Sequence, residues 1–91
     1  SCEYNVPPPP SGEVTFDYST VQIRYTVNGK SETFTNVGDA AGCASQPTQG
    51  WYYDDPKKPT KIFLCDPTCQ KVQAVDQGKV NVIFPCKAIP A

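Results

Sequence analysis

Apolar and polar residues alternate along much of this chain. Val14, Phe16 and Tyr18 fall on one face of "EVTFDY", and Val21, Ile23, Tyr25 and Val27 fall on one face of "TVQIRYTV". A period of two is that of a half-buried strand. The second run meets Asn28-Gly29, a dipeptide that tolerates positive φ at both central positions of a two-residue type I′ turn. Such a turn sets Val27 opposite Lys30, Tyr25 opposite Glu32 and Ile23 opposite Phe34, with Ile23 and Phe34 on a common face. "TKIFLC" (60–65) and "KVNVIF" (79–84) read as two further strands. Between them, Asp66 suits a helix N-cap and Pro67 the first helical position. Cys69, Val72 and Val75 or Asp76 recur at helical spacing, and Gly78 is a stop. Strand, short helix, strand predicts a crossover with the two strands parallel.

Residues 1–12 read as a Pro-rich linker, since "VPPPPSGE" is a stiff polyproline II stretch, and 13–91 as a single domain. Residues 36–50 are loop, punctuated by Gly, Pro, Ser and Asn, and long enough to need an anchor; Cys43 lies in its middle. Leu64 is the only leucine against many Val, Ile and Thr, which is a sheet composition. The expected fold class is therefore mainly β with one short helix. That means a small disulfide-stapled β-sandwich-like or α+β domain, built from a β-hairpin and a strand–helix–strand unit.

A chain of 91 residues has a marginal core and calls for staples. The candidates are its five cysteines, Cys2, Cys43, Cys65, Cys69 and Cys86. Disulfides in an oxidising compartment are favoured over a zinc site, whose paired knuckle spacing is missing. Cys65–Cys86 with Cys43–Cys69 fits the expected crossover, but five cysteines with one left over allow fifteen pairings. The odd cysteine pairs elsewhere or stays a thiol. The absence of Met predicts a piece processed or excised from a longer precursor. A net charge of −1 with scattered charges argues against nucleic acid and against a polybasic membrane patch, and no apolar run suits membrane insertion.

Catalysis is poorly served. There is no His, hence no imidazole base, and no phosphate-binding loop. Asp54 and Asp55 are sequence neighbours whose side chains point to opposite faces of an extended chain, which does not make an acid/base pair. No cofactor is expected. Asp54, Asp55, Asp66 and Asp76 lack any calcium-loop pattern, and Asp55-Pro56 and Asp66-Pro67 read as turn and cap devices, so no metal site is expected. The aromatic run Trp51-Tyr52-Tyr53 beside Asp54 and Asp55 is the candidate ligand or partner contact. Alternation sets Trp51 and Tyr53 on one face, more plausibly core, and leaves Tyr52 on the other, exposed.

The segment from Gly50 to Cys86, "GWYYDDPKKPTKIFLCDPTCQKVQAVDQGKVNVIFPC", resembles the C-terminal cysteine-rich module of bacterial surface proteins and lipoproteins carrying a von Willebrand factor type A domain. Cys2, Tyr4 and Pro7 to Pro10 resemble the stretch by which that module leaves the last helix of the A domain. Asp66 between Cys65 and Pro67, and Pro85 before Cys86, depart from the family pattern. The A domain's metal-binding D-x-S-x-S motif has no counterpart here. The resemblance implies an extracellular or cell-surface module beside an adhesion domain, with an upstream segment as partner for the odd cysteine.

Three readings follow. The first is a non-enzymatic extracellular module that braces an adhesion domain or makes protein contacts. The second is a self-associating subunit of an extracellular fibre, and the third a carbohydrate-binding module using Trp51, Tyr52, Tyr53, Asp54 and Asp55.

Overall fold

The computed structural model describes residues 2–8, 17–85 and 87–91, the stretch 87–90 by its backbone. The strand expected over 13–18 lies outside them except for Asp17 and Tyr18. There the chain makes a 3-10 turn, Tyr18–Thr20, capped by the Asp17 carboxylate, which accepts from the Ser19 N–H. The remaining elements are β1 (Glu3–Asn5), β2 (Gln22–Val27), β3 (Lys30–Asn36), a 3-10 turn (Ala40–Ala44), β4 (Gly50–Tyr53), β5 (Lys61–Leu64), α1 (Asp66–Gln73), β6 (Lys79–Phe84) and β7 (Lys87–Pro90). The protein is mainly β with one short helix. The described strands form one mixed sheet in the order β1-β5-β4-β3-β2-β6-β7.

The hairpin forms as its pattern predicts. Asn28 and Gly29 take φ of 53° and 76°, and Val27, Tyr25 and Ile23 stand opposite Lys30, Glu32 and Phe34. A one-residue slip would turn Phe34 away from Ile23 and Tyr25; in this register all three point inward, and Tyr25 stacks on Phe34 at 5.7 Å between ring centres. The sheet curls around these residues. Ile23, Tyr25, Val82 and Phe84 from one half meet Trp51, Tyr53, Ile62 and Leu64 from the other in a single core. Helix α1 packs against that core through Cys69 and Val72, and its Lys71 reaches Glu32 of β3 at 2.7 Å.

The expected parallel crossover between β5 and β6 is not formed, because β4, β3 and β2 lie between them and their directions are opposed. The sheet's parallel pair is instead β3–β4. Parallel neighbours need a long connection, and the loop over 37–49 is that connection, which accounts for its length. The helix also differs at both ends. Cys65 occupies the N-cap without a side-chain hydrogen bond, so Asp66 is the first helical residue rather than the cap. The helix stops at Gln73 rather than running towards Gly78, and Val75, just beyond its end, is 39% exposed, so burial adds little to a further turn.

The first residues are built into the sheet. Glu3, Tyr4 and Asn5 pair with Phe63, Ile62 and Lys61 of β5, making β1 an edge strand rather than linker. Positions 9–12 of the Pro-rich stretch lie outside the described residues.

Candidate functional site

The two described disulfides are Cys2–Cys69 and Cys43–Cys65. The pairing Cys65–Cys86 with Cys43–Cys69 is thus corrected. It presupposed adjacent β5 and β6, and with three strands between them Cys65 instead meets the loop that packs over β4. These four cysteines are held in disulfides and are not free thiolates for zinc, and Cys86 lies outside the described residues. Both bridges end within 65–69, so this short segment fastens both the start of the chain and the long loop.

Thr68 completes that junction. It is 0% exposed; its hydroxyl donates to the Pro47 carbonyl at 2.9 Å and accepts from the Gly50 N–H at 3.0 Å. Gly50 is required by proximity, since a β-carbon there would lie 2.7 Å from Cys65 Sγ and 2.6 Å from the Gln46 carbonyl. Thr68→Val keeps the shape, leaves the Gly50 N–H buried and unpaired, and removes the donor to the more accessible Pro47 carbonyl. It should cost about 2–3 kcal/mol in urea unfolding, against about 1 kcal/mol for Thr68→Ser, which keeps the hydroxyl. Equal losses for the two variants would show that the hydrogen bonds contribute nothing.

The stretch "GWYYDDP" divides between core and turn. Trp51 and Tyr53 are 1% and 4% exposed and meet edge to face at 4.9 Å. Neither is available to a ligand, so these two contact candidates are withdrawn to the interior, as the alternation predicts. Tyr53 donates to the Tyr18 carbonyl at 2.8 Å; burial, then the neighbouring Tyr18 and Asp17, raise its pKa. The indole N–H of Trp51 and the hydroxyl of Tyr25 are buried and find no hydrogen-bond partner among the described residues.

Asp54 and Asp55 serve the turn back to β5. Asp54 accepts from the Thr60 hydroxyl, from Thr60 N–H at 2.9 Å and from Lys61 N–H at 3.1 Å. Asp55 accepts from Lys57 N–H at 2.9 Å. Hydrogen bonds from the Thr60 side chain, then from the Thr60 and Lys61 backbone, hold the Asp54 carboxyl well below the usual range. A depressed pKa stabilises the fold above the ordinary carboxyl value of 3.8 and loses that contribution as pH falls towards the lower one. Asp54→Asn should therefore be less stable than the parent at pH 6 and show a shallower loss on acidification below about pH 4. Parallel stability–pH curves for the two proteins would refute this.

What remains on the surface is a row across three strands. Alternation turns Tyr52, Phe63 and Glu3 outward, and the sheet register sets them side by side. The Tyr52 and Phe63 rings are 5.5 Å apart, tilted by 34°. With Asp66, Leu64 and the Cys2–Cys69 bridge they line a notch of about 220 Å³. Phe63 was legible as the outward residue of "KIFL". Glu3 and Asp66 carry no local signal, because only the β1–β5 pairing and the helix start bring them here. A larger groove, about 460 Å³, lies between Tyr4, Val72, Val80 and Lys79. Among the described residues no group of three or more Cys, Asp and Glu side chains converges to hold a metal ion, and no helix is long and apolar enough to cross a membrane.

Comparison with protein families, with curated proteins and with solved structures finds no match to this chain.

Proposed function

We propose that this chain is a non-enzymatic, disulfide-braced module of an extracellular or cell-surface protein, working through protein contacts beside a neighbouring domain. The observation that carries the reading is the convergence of both disulfides on residues 65–69. It anchors the start of the chain to the core, which is what a module must do to hold an upstream partner in fixed orientation. Disulfides suit an oxidising compartment. The neighbouring carboxylates Asp54 and Asp55 accept hydrogen bonds from backbone amides of the turn, which supports a structural role for them. An adhesion domain as the neighbour is what the resemblance of 50–86 implies.

Intact mass under non-reducing conditions, with and without thiol alkylation, tests the reading. The expected species is a monomer about 4 Da lighter than the reduced chain, as two disulfides require, with one alkylated thiol. Disulfide-linked multimers would overturn it in favour of a self-assembling subunit.

A further inference from the structure

We propose that the notch beside β1 is a recognition site for a basic side chain, arginine foremost, carried by an extended peptide of a partner protein. This deepens the protein-contact reading and rests on it.

Four features of the notch converge on that chemistry. Its volume, about 220 Å³, falls below the roughly 300–1,000 Å³ of a pocket for a whole small molecule and suits one side chain. Its walls offer a paired aromatic surface, Tyr52 and Phe63, whose faces attract cations. Among the described residues its charged groups are Glu3 and Asp66, both carboxylates, and both exposed. The nearest cation in register, Lys61, is already held by Asn5 Oδ1 at 2.8 Å. The first amides of α1 oppose a cation with a partial positive charge, but Asp66, in the first turn, sets a full negative charge against it. Arginine is favoured over lysine because its planar fork can bind a carboxylate and stack on a ring at once.

The extended form of the partner follows from the edge of the sheet. Val6 N–H donates to the Thr60 carbonyl and Leu64 N–H to the Cys2 carbonyl, so the even-numbered residues of this strand bond to β5. The N–H and C=O groups of Glu3 and Asn5 therefore point the other way. Among the described residues no strand pairs with that outer edge. A peptide adding there as a strand would carry every second side chain on the face of the notch.

The test is an amide-resolved NMR titration of the intact chain at low salt. The probes are acetyl-Val-Arg-Val-amide and the same peptide with citrulline, the neutral isostere of arginine. The expected result is shifts at Glu3, Tyr52, Phe63 and Cys69 with the arginine peptide, and binding at least about fivefold weaker with citrulline. Glu3→Gln with Asp66→Asn should weaken the arginine peptide about fivefold and leave the citrulline peptide unchanged. Equal binding of the two peptides, no shifts, or shifts confined to the Tyr4–Val80 groove would overturn the proposal. So would chitotriose shifting Tyr52 and Phe63 where the arginine peptide does not, which would make the face a sugar platform. A disulfide-bonded monomer that ignores the peptide refutes the notch and leaves the module reading standing. Linked multimers refute the module reading whatever the peptide does.

Discussion

Cys2→Ala with Cys69→Ala should lower the free energy of unfolding by about 4 kcal/mol. The bridge spans 67 residues, and closing a loop of that length removes roughly that much chain entropy from the unfolded state. The Cys43–Cys65 bridge spans 22 residues, and its removal should cost about 3 kcal/mol on the same reasoning. A domain of this size has about 5–14 kcal/mol in all, so losing both bridges should remove about half of its stability or more. The first variant has a local signature as well. β1 contributes only Glu3–Asn5 to the sheet, and its edge position gives it one neighbour. Without the bridge it should fray first, and the amides of Tyr4 and Ile62 should exchange much faster than those of the β2–β3 hairpin. Urea midpoints that stay within about 0.5 M of the parent would mean that the tether adds little beyond the packing of Tyr4 and Val6.

The second large effect is at Trp51. It is one of the largest fully buried side chains, placed on β4 near the centre of the sheet and against Tyr53. Trp51→Ala should cost about 3–5 kcal/mol, as large-to-small substitutions of buried aromatics do. Trp51→Phe should cost far less than its lost volume implies. The indole N–H has no hydrogen-bond partner among the described residues, and phenylalanine removes that buried donor along with the second ring. A Trp51→Phe loss close to that of Trp51→Ala would show that the N–H is satisfied in solution. Trp51 is also the only tryptophan, so its emission should be blue-shifted and resistant to iodide. Strong quenching by iodide would contradict its burial and reopen a sugar-binding role for its ring.

The outward-facing members of the aromatic and acidic stretch behave differently from the buried ones for a simple reason of geometry. In a strand one face is core and the other is solvent, so Trp51 and Tyr53 stabilise while Tyr52 is left for contact. Asp54 and Asp55 follow the strand and meet the unpaired amides of a turn. Those amides need acceptors, and two carboxylates at the turn supply them.

Some of this was written in the chain alone. The β2–β3 register follows from a two-residue turn and an alternation of period two, both local, so no other part of the molecule has to be known. The same holds for the inward Trp51 and Tyr53, the presence of a helix after Cys65, and the mainly β class. Local patterns did not determine which strands lie side by side. The β1–β5 and β3–β4 pairings join segments distant in sequence, and the energy that selects them is the burial of one shared core rather than any turn or cap. The disulfide partners followed from that selection. Cys65 could face Cys86 only if β5 and β6 were neighbours, and the sheet order placed three strands between them. The notch belongs to the same category. Glu3, Phe63, Tyr52 and Asp66 come from separate stretches, and only the folded sheet, with α1 starting at its end, sets them around one opening.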